Sequence, residues 1–151
     1  KSAGGTLRLS NAPEGGAIIS LRLPYRAAVP ATTGLVLLVE DATDIRAVVR
    51  DMLMELGHSV IEATSADEAT ALIADLPDIA LVVSDIQLTG EATGIDLATR
   101  IGGALPLLLM TSLPVDDPLF LQAQATAPVL RKPFAQTDLT ALIAPLKVAA
   151  Q

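Results

Sequence analysis

From Leu35 onward, uninterrupted aliphatic runs alternate with segments whose apolar residues recur at helical spacing, and few folds accommodate that alternation. "LVLLVE" (35–40) is one such run. Ile45, Val48, Val49, Met52, Leu53 and Leu56 follow on one helical face, and Gly57 predicts the end of that helix. "SVIEA" (59–63) predicts a short strand, and Ser65 with Glu68 a capping box that opens a helix through Ala69, Leu72, Ile73 and Leu76. "IALVVS" (79–84), "PLLLMT" (106–111) and "APVLRK" (127–132) predict three more strands. A weaker helical pattern spans 95–101, and a last one runs through Leu139, Leu142, Ile143 and Leu146, interrupted by Pro145. Between them, Pro114 and Pro118 imply that any helix in 113–126 starts late and is short. A strand without a polar face must be covered on both sides, so repeated βα units predict a doubly wound parallel sheet with helices on each face. The core material agrees: 51% of the chain is hydrophobic, yet there is no Trp, one Tyr and two Phe.

Residues 1–33 read differently. "TLRLS" and "AIISLRL" alternate apolar and polar residues around the turn signal "NAPEGG", which predicts a β-hairpin, and "YRAAVPATTG" reads as a linker. A lone hairpin is marginal in water, so it is not expected to form a domain by itself.

Composition removes several function classes. A net charge of −7 without a basic cluster argues against nucleic-acid binding. With zero Cys there are no disulfides, no Cys-ligated zinc and no thiol catalysis, which fits a reducing cytoplasm. No apolar run approaches the ~18 residues of a membrane span, and no signal peptide is present, so a cytoplasmic chain without membrane contact is expected.

In open parallel sheets, ligands bind outside the carboxyl ends of the strands, at the switch point. Those ends carry Glu40 and Asp41, then Thr64 and Ser65, then Asp85, then Thr111 and Ser112, and finally Lys132 followed by Pro133. Each residue alone has an ordinary explanation, since an Asp after a strand is commonly a turn or a helix cap. Capping does not explain a lysine at the fifth strand, however, and the conjunction points to chemistry. Clustered carboxylates repel one another and need a cation, and oxygen-only ligands suit Mg²⁺.

Over residues 34–150 this constellation resembles the receiver domain of two-component response regulators, through "LVED", "VVSDI", "LLLMTS" and "LRKPF" in that order. The resemblance implies a flavodoxin-like (βα)5 fold with strand order 2-1-3-4-5, here preceded by the hairpin arm. It implies that Asp85 accepts a phosphoryl group from a phosphohistidine. Mg²⁺ would be held by Glu40, Asp41, Asp85 and the backbone carbonyl of Gln87. Thr111 would bind one phosphoryl oxygen and Lys132 another, with Pro133 in the cis form. The implied donor is the phosphohistidine domain of a histidine kinase, in cis or in trans, or a histidine phosphotransfer protein. An Asp nucleophile suits phosphoryl transfer, whose transition state asks mainly for positioning and charge neutralisation.

The chain departs from that pattern in places. Leu88-Thr89 replaces the usual Met-Pro, and the loop "TGEATG" to Gly94 is slightly long. Val129 replaces an aromatic, which argues against an aromatic-rotamer output switch, and Ala135 stands where a better helix cap is expected. His58, the one histidine, is expected in a surface turn at the opposite end of the sheet from Asp85.

Three other functions compete. A haloacid-dehalogenase-like aspartyl-phosphate phosphatase carries a second Asp two residues after the nucleophile, where this chain has Gln87. An FMN carrier needs a Ser/Thr/Gly-rich phosphate loop after the first strand, but "EDATDIR" is acidic. A degenerate receiver that only docks partners has no need for Glu40, Asp41, Asp85, Thr111 and Lys132 together. The stretch "GGTLRLSNAPEGGAIISLRLP" resembles the closing β-hairpin of a histidine kinase ATP-binding domain. That implies a kinase remnant at 1–24, a linker at 25–33 and a receiver at 34–150, the carboxyl-terminal piece of a hybrid histidine kinase. Without the rest of its domain, the hairpin is expected to bury Leu7, Leu9, Ile19, Leu21 and Leu23 on a second copy, as a homodimer, or on the receiver itself. It should neither bind ATP nor autophosphorylate.

Overall fold

Strands that are apolar on both faces are buried on both faces. The structure, a computed structural model, describes residues 5–11, 17–22 and 35–150, with side chains from 35 to 146. The elements run β1 (Gly5–Asn11), β2 (Ala17–Arg22), β3 (Leu35–Val39), α1 (Thr43–Glu55), β4 (Ser59–Ala63), α2 (Ala66–Asp75), β5 (Ile79–Asp85), α3 (Gly94–Ile101), β6 (Leu107–Thr111), α4 (Pro118–Thr126), β7 (Val129–Arg131) and α5 (Gln136–Ala150). The strands form one sheet in the order β2-β1-β4-β3-β5-β6-β7. Its last five strands are parallel and, numbered among themselves, follow the order 2-1-3-4-5.

Two-residue alternation divides each aliphatic run between two cores. Leu37 and Val39 of β3, Val82 of β5 and Leu109 of β6 pack with Ala69 and Leu72 of α2, Ile95 and Leu97 of α3 and Ala123 of α4. Val36, Leu38, Leu81, Val83, Leu108 and Met110 face the other way, against Val49 and Leu53 of α1 and Leu139 and Ile143 of α5. Burying each Val, Leu or Ile side chain is worth roughly 1.5–3 kcal/mol. The switch point lies between β3 and β5, whose following helices leave on opposite faces.

The helix ends show local chemistry that the sequence pattern gave incompletely. At α2, Ser65 accepts from the Glu68 amide, while the Glu68 carboxylate reaches past the cap to the Thr64 amide (3.2 Å) and hydroxyl (3.0 Å). The weak pattern at 95–101 is a helix opened by a full capping box between Thr93 and Asp96. The 113–126 segment holds a late, short helix, with Asp117 as its cap and Pro118 at its first turn. Ahead of α5 the side chain of Ala135 can accept nothing, and the Asp138 carboxylate instead accepts from the Ala135 amide at 2.9 Å.

Two expectations are corrected. Pro145 does not interrupt the last helix, which continues to Ala150; its earlier turns are already anchored through Leu139 and Ile143, and that packing outweighs the loss of one amide donor. His58 is no surface residue but is 4% exposed. Its amide donates to the Leu53 carbonyl, which folds residue 58 under the end of α1.

The hairpin is present: β1 and β2 pair antiparallel from Thr6↔Arg22 to Asn11↔Ala17. β1 also pairs parallel with β4, at Gly5↔Ser59, Thr6↔Val60 and Leu7↔Ile61, so the arm adds two strands to the sheet. The expected burial of Leu7, Leu9, Ile19, Leu21 and Leu23 concerns side chains outside the described set, and the turn and the linker also lie outside it.

Gly94 is required by a close approach of backbone to backbone. A Cβ there would collide with the Asp85 carbonyl oxygen and come within 3.0 Å of the Asp85 carbonyl carbon and 3.1 Å of the Ile86 Cα. The Gly94 amide donates to the Ile86 carbonyl at 2.8 Å, so α3 is anchored directly on the end of β5. Gly94→Ala should therefore destabilise the domain by roughly 1–3 kcal/mol in urea unfolding, as overpacking does. A loss below about 0.5 kcal/mol, the range of neutral surface changes, would show that α3 is not held there.

Candidate functional site

Register alone brings the polar residues together. Val39 pairs with Ser84, which sets Glu40 beside Asp85. Asp85 pairs with Met110, so Thr111 stands one step further out, and Thr111 pairs with Arg131, placing Lys132 next in line. By alternation, Asp85 follows Leu81 and Val83 onto the α1/α5 face. Thr111, the residue after Met110, turns towards the opposite face.

Glu40 is 1% exposed and Asp85 8% exposed. Lys132 Nζ donates to Glu40 Oε2 at 2.8 Å and stands 3.4 Å from Asp85 Oδ1. The second Glu40 oxygen accepts from the Ala42 amide at 3.1 Å, and its carbonyl accepts from the Arg46 guanidinium at 2.9 Å. Arg46 also pairs with Glu62 of β4 at 3.3 Å, which ties the loop after β3 to the neighbouring strand. One carboxylate oxygen each from Glu40, Asp41 and Asp85 lies within 4.8 Å of the others. Thr111 is fully buried, and its hydroxyl oxygen accepts from the Leu113 amide at 3.0 Å. The Lys132–Pro133 peptide bond is cis. Gln87 lies exposed in the bend two residues beyond Asp85. His58, at the other end of the sheet, takes no part.

The electrostatics of the three carboxylates differ. Burial, and then the Glu40 charge beside it, push Asp85 up to about 6, against the weaker opposing pull of Lys132. Asp41 is more exposed, and the Thr89 hydroxyl bond is the main influence holding its carboxyl below the usual range. A buried group at this position that resists ionisation is short of positive charge, and the ligand atoms that Glu40, Asp41 and Asp85 offer together are all carboxylate oxygens. The residues therefore fit a small hard divalent cation.

Sequence reasoning named Glu40, Asp41, Asp85, Thr111 and Lys132 as neighbours, and the structure brings them to one rim. It missed Thr89, whose hydroxyl donates to Asp41 Oδ2 at 2.7 Å. The sequence did mark position 89 as a departure from Met-Pro, and that was the one available signal.

The family model described as response regulator receiver domain matches residues 36–144. Among solved structures, the signal receiver domain of a modulated diguanylate cyclase from Desulfovibrio desulfuricans G20 is similar at 30% identity and a TM-score of 0.70, covering 78% of this chain and 96% of that one. The PhyR response regulator receiver domain of Erythrobacter litoralis shares 27% identity at a TM-score of 0.64, covering 76% and 89%. A receiver domain protein from Clostridium thermocellum shares the fold at 21% identity and a TM-score of 0.68, covering 77% and 95%. No curated protein matches the chain.

A pH dependence follows from Asp85. Its folded value of about 6 stands above the unfolded value of 3.8. The folded form thus holds the proton more tightly; this contribution to stability is complete below pH 4 and is lost as pH rises through about 6. In metal-free buffer, Asp85→Asn should raise unfolding stability at pH 7–8, by on the order of 2 kcal/mol, and change it little at pH 4. Equal stabilisation at both pH values, measured by urea denaturation, would contradict the assignment.

Proposed function

The chain belongs to the response regulator receiver domain family, and on that premise we propose that it is a phosphoacceptor of two-component signalling, taking a phosphoryl group onto Asp85 from a phosphohistidine. The observation that carries this reading is the meeting of Asp85, Glu40 and Lys132 at the switch point, with Asp85 charge-starved and at the open end of its strand. A carboxylate oxygen of Asp85 attacks phosphorus, the P–N bond breaks, and the electron pair leaves with the imidazole nitrogen, giving an acyl phosphate. Lys132, shared between Glu40 and Asp85, exchanges the Asp85 oxygen for a phosphoryl oxygen without leaving Glu40. The Thr111 hydroxyl has its proton free to donate to a second phosphoryl oxygen, because its hydrogen bond to Leu113 uses only a lone pair.

Glu40, Asp41, Asp85 and the backbone carbonyl of Gln87 would hold Mg²⁺, which when bound supplies positive charge to the phosphoryl oxygens. Donors in this scheme are the phosphohistidine domain of a histidine kinase or a histidine phosphotransfer protein. We read residues 1–24 as the closing hairpin of a kinase ATP-binding domain and the chain as part of a hybrid kinase acting in the cytoplasm. The order of hairpin, linker and receiver in the sequence supports this, as does the antiparallel pairing of β1 with β2. Among the described residues no helix is long and apolar enough to cross a membrane.

Acetyl phosphate with Mg²⁺ should add the mass of one phosphoryl group, removable by hydroxylamine as acyl phosphates are. Asp85→Asn should abolish the addition, and unchanged labelling of that variant would refute the role of Asp85.

The output movement is expected to start at Thr111. A hydroxyl drawn towards phosphate takes the Leu113 amide with it, and α4 follows only five residues later. Val129, half-buried against the core on the α3/α4 side, has no aromatic ring to swing. Beryllofluoride should change hydrogen exchange chiefly across 112–126, and a change confined to α1 would contradict this route.

A further inference from the structure

The contact between Thr89 and Asp41 crosses the switch point. Asp41 belongs to the loop after β3 and Thr89 to the segment joining β5 to α3, 48 positions away, yet hydroxyl and carboxylate meet at 2.7 Å. Thr89 itself is exposed and supports no core. Gly90, at φ 103, lets the chain turn back immediately after it, which leaves the hydroxyl facing the carboxylate cluster.

Asp41 needs such a partner. It is half-exposed, and it shares a 4.8 Å cluster with two other carboxylates that repel it towards solvent. Glu40 is fixed by Lys132 and the Ala42 amide, and Asp85 by its strand and Lys132. For Asp41 the corresponding restraint from across the site is the Thr89 hydroxyl. A single O–H donor occupies only one lone pair of Oδ2, so it can orient the group without blocking it. Thr89 also lies two residues after Gln87, so the same bond holds together the two chain segments proposed to supply ligands.

We infer that Thr89 is a positioning residue for the divalent-cation site, preorganising Asp41 by a hydrogen bond that a proline at this position could not make. Hydrogen bonds to ligating carboxylates typically govern affinity by 10–100-fold. This inference rests on the proposal that Glu40, Asp41 and Asp85 bind the ion, and the experiment separates the two.

Mg²⁺ affinity is measured by calorimetry on the unphosphorylated chain, for wild type, Asp41→Ala, Thr89→Val, Thr89→Ser and the double variant Asp41→Ala/Thr89→Val. Thr89→Val keeps the shape and removes the donor; it should weaken Mg²⁺ binding about tenfold. Thr89→Ser should restore most of the affinity. In EDTA the urea midpoint of Thr89→Val should match wild type, because an exposed side chain is exchanged. The double variant should bind no more weakly than Asp41→Ala alone, since Thr89 acts through Asp41. Wild-type affinity in Thr89→Val, tighter binding there, or an additive loss in the double variant would each overturn the inference while leaving the cation site standing. Equal affinity in wild type and Asp41→Ala would overturn the site reading itself, and the inference with it.

Discussion

A single ammonium group makes the rim of this sheet tenable. Lys132 reaches from the end of β7 to two buried carboxylates, Glu40 at 2.8 Å and Asp85 at 3.4 Å. Removing one partner from such a group leaves uncompensated charge in a poorly solvated place, which is among the costlier defects a domain can carry. The ammonium does not balance both acids, and Asp85 is left short of compensation and pushed up to about 6. The resting site is thus poised by a deficit of positive charge that nearby protein groups do not fill. Further positive charge is welcome there, and a bound divalent cation would supply it.

The rest of the molecule serves to hold that arrangement in register. The candidate site lies along the carboxyl edge of the sheet. Glu40, Asp85, Thr111 and Lys132 all stand at or just past a strand end, where aliphatic packing on both faces has already fixed the backbone. Ser84, fully buried, donates to the Asp85 carbonyl at 2.9 Å, and Gly94 packs against the same peptide from the start of α3. Precision at the site is inherited from strands that contain almost no polar side chains.

The sequence revealed what depends on periodicity and on residues at strand ends. Apolar runs split by amphipathic segments gave the parallel sheet, and four short motifs in order gave the family. What escaped it depends on three-dimensional proximity between irregular segments. Thr89 and Asp41 meet because two loops converge, and no periodicity encodes that meeting. His58 reads as a surface turn residue because it comes just before a strand in "LGHSV", yet that turn tucks it beneath α1. Pro145 carries a strong local penalty, but local rules do not weigh the Leu139 and Ile143 packing that holds its helix. The Glu68 carboxylate serves Thr64 where the motif predicts Ser65, a shift of one residue that only the backbone geometry at the cap decides.

The pairing of β1 with β4 carries a consequence for how the arm is attached. The β1–β2 contacts are local and antiparallel, whereas the β1–β4 pairs join Gly5, Thr6 and Leu7 to Ser59, Val60 and Ile61, far along the chain. Closing that loop costs more chain entropy than bringing β3 to β4, which share Val60 and Ile61 as partners across a much shorter connection. The arm thus closes the longer loop, and it does so with three residue pairs to β4 where β3 has four. Because β2 pairs with β1 and β1 with β4 alone on the other side, the arm can leave the sheet without breaking any pair among the five parallel strands.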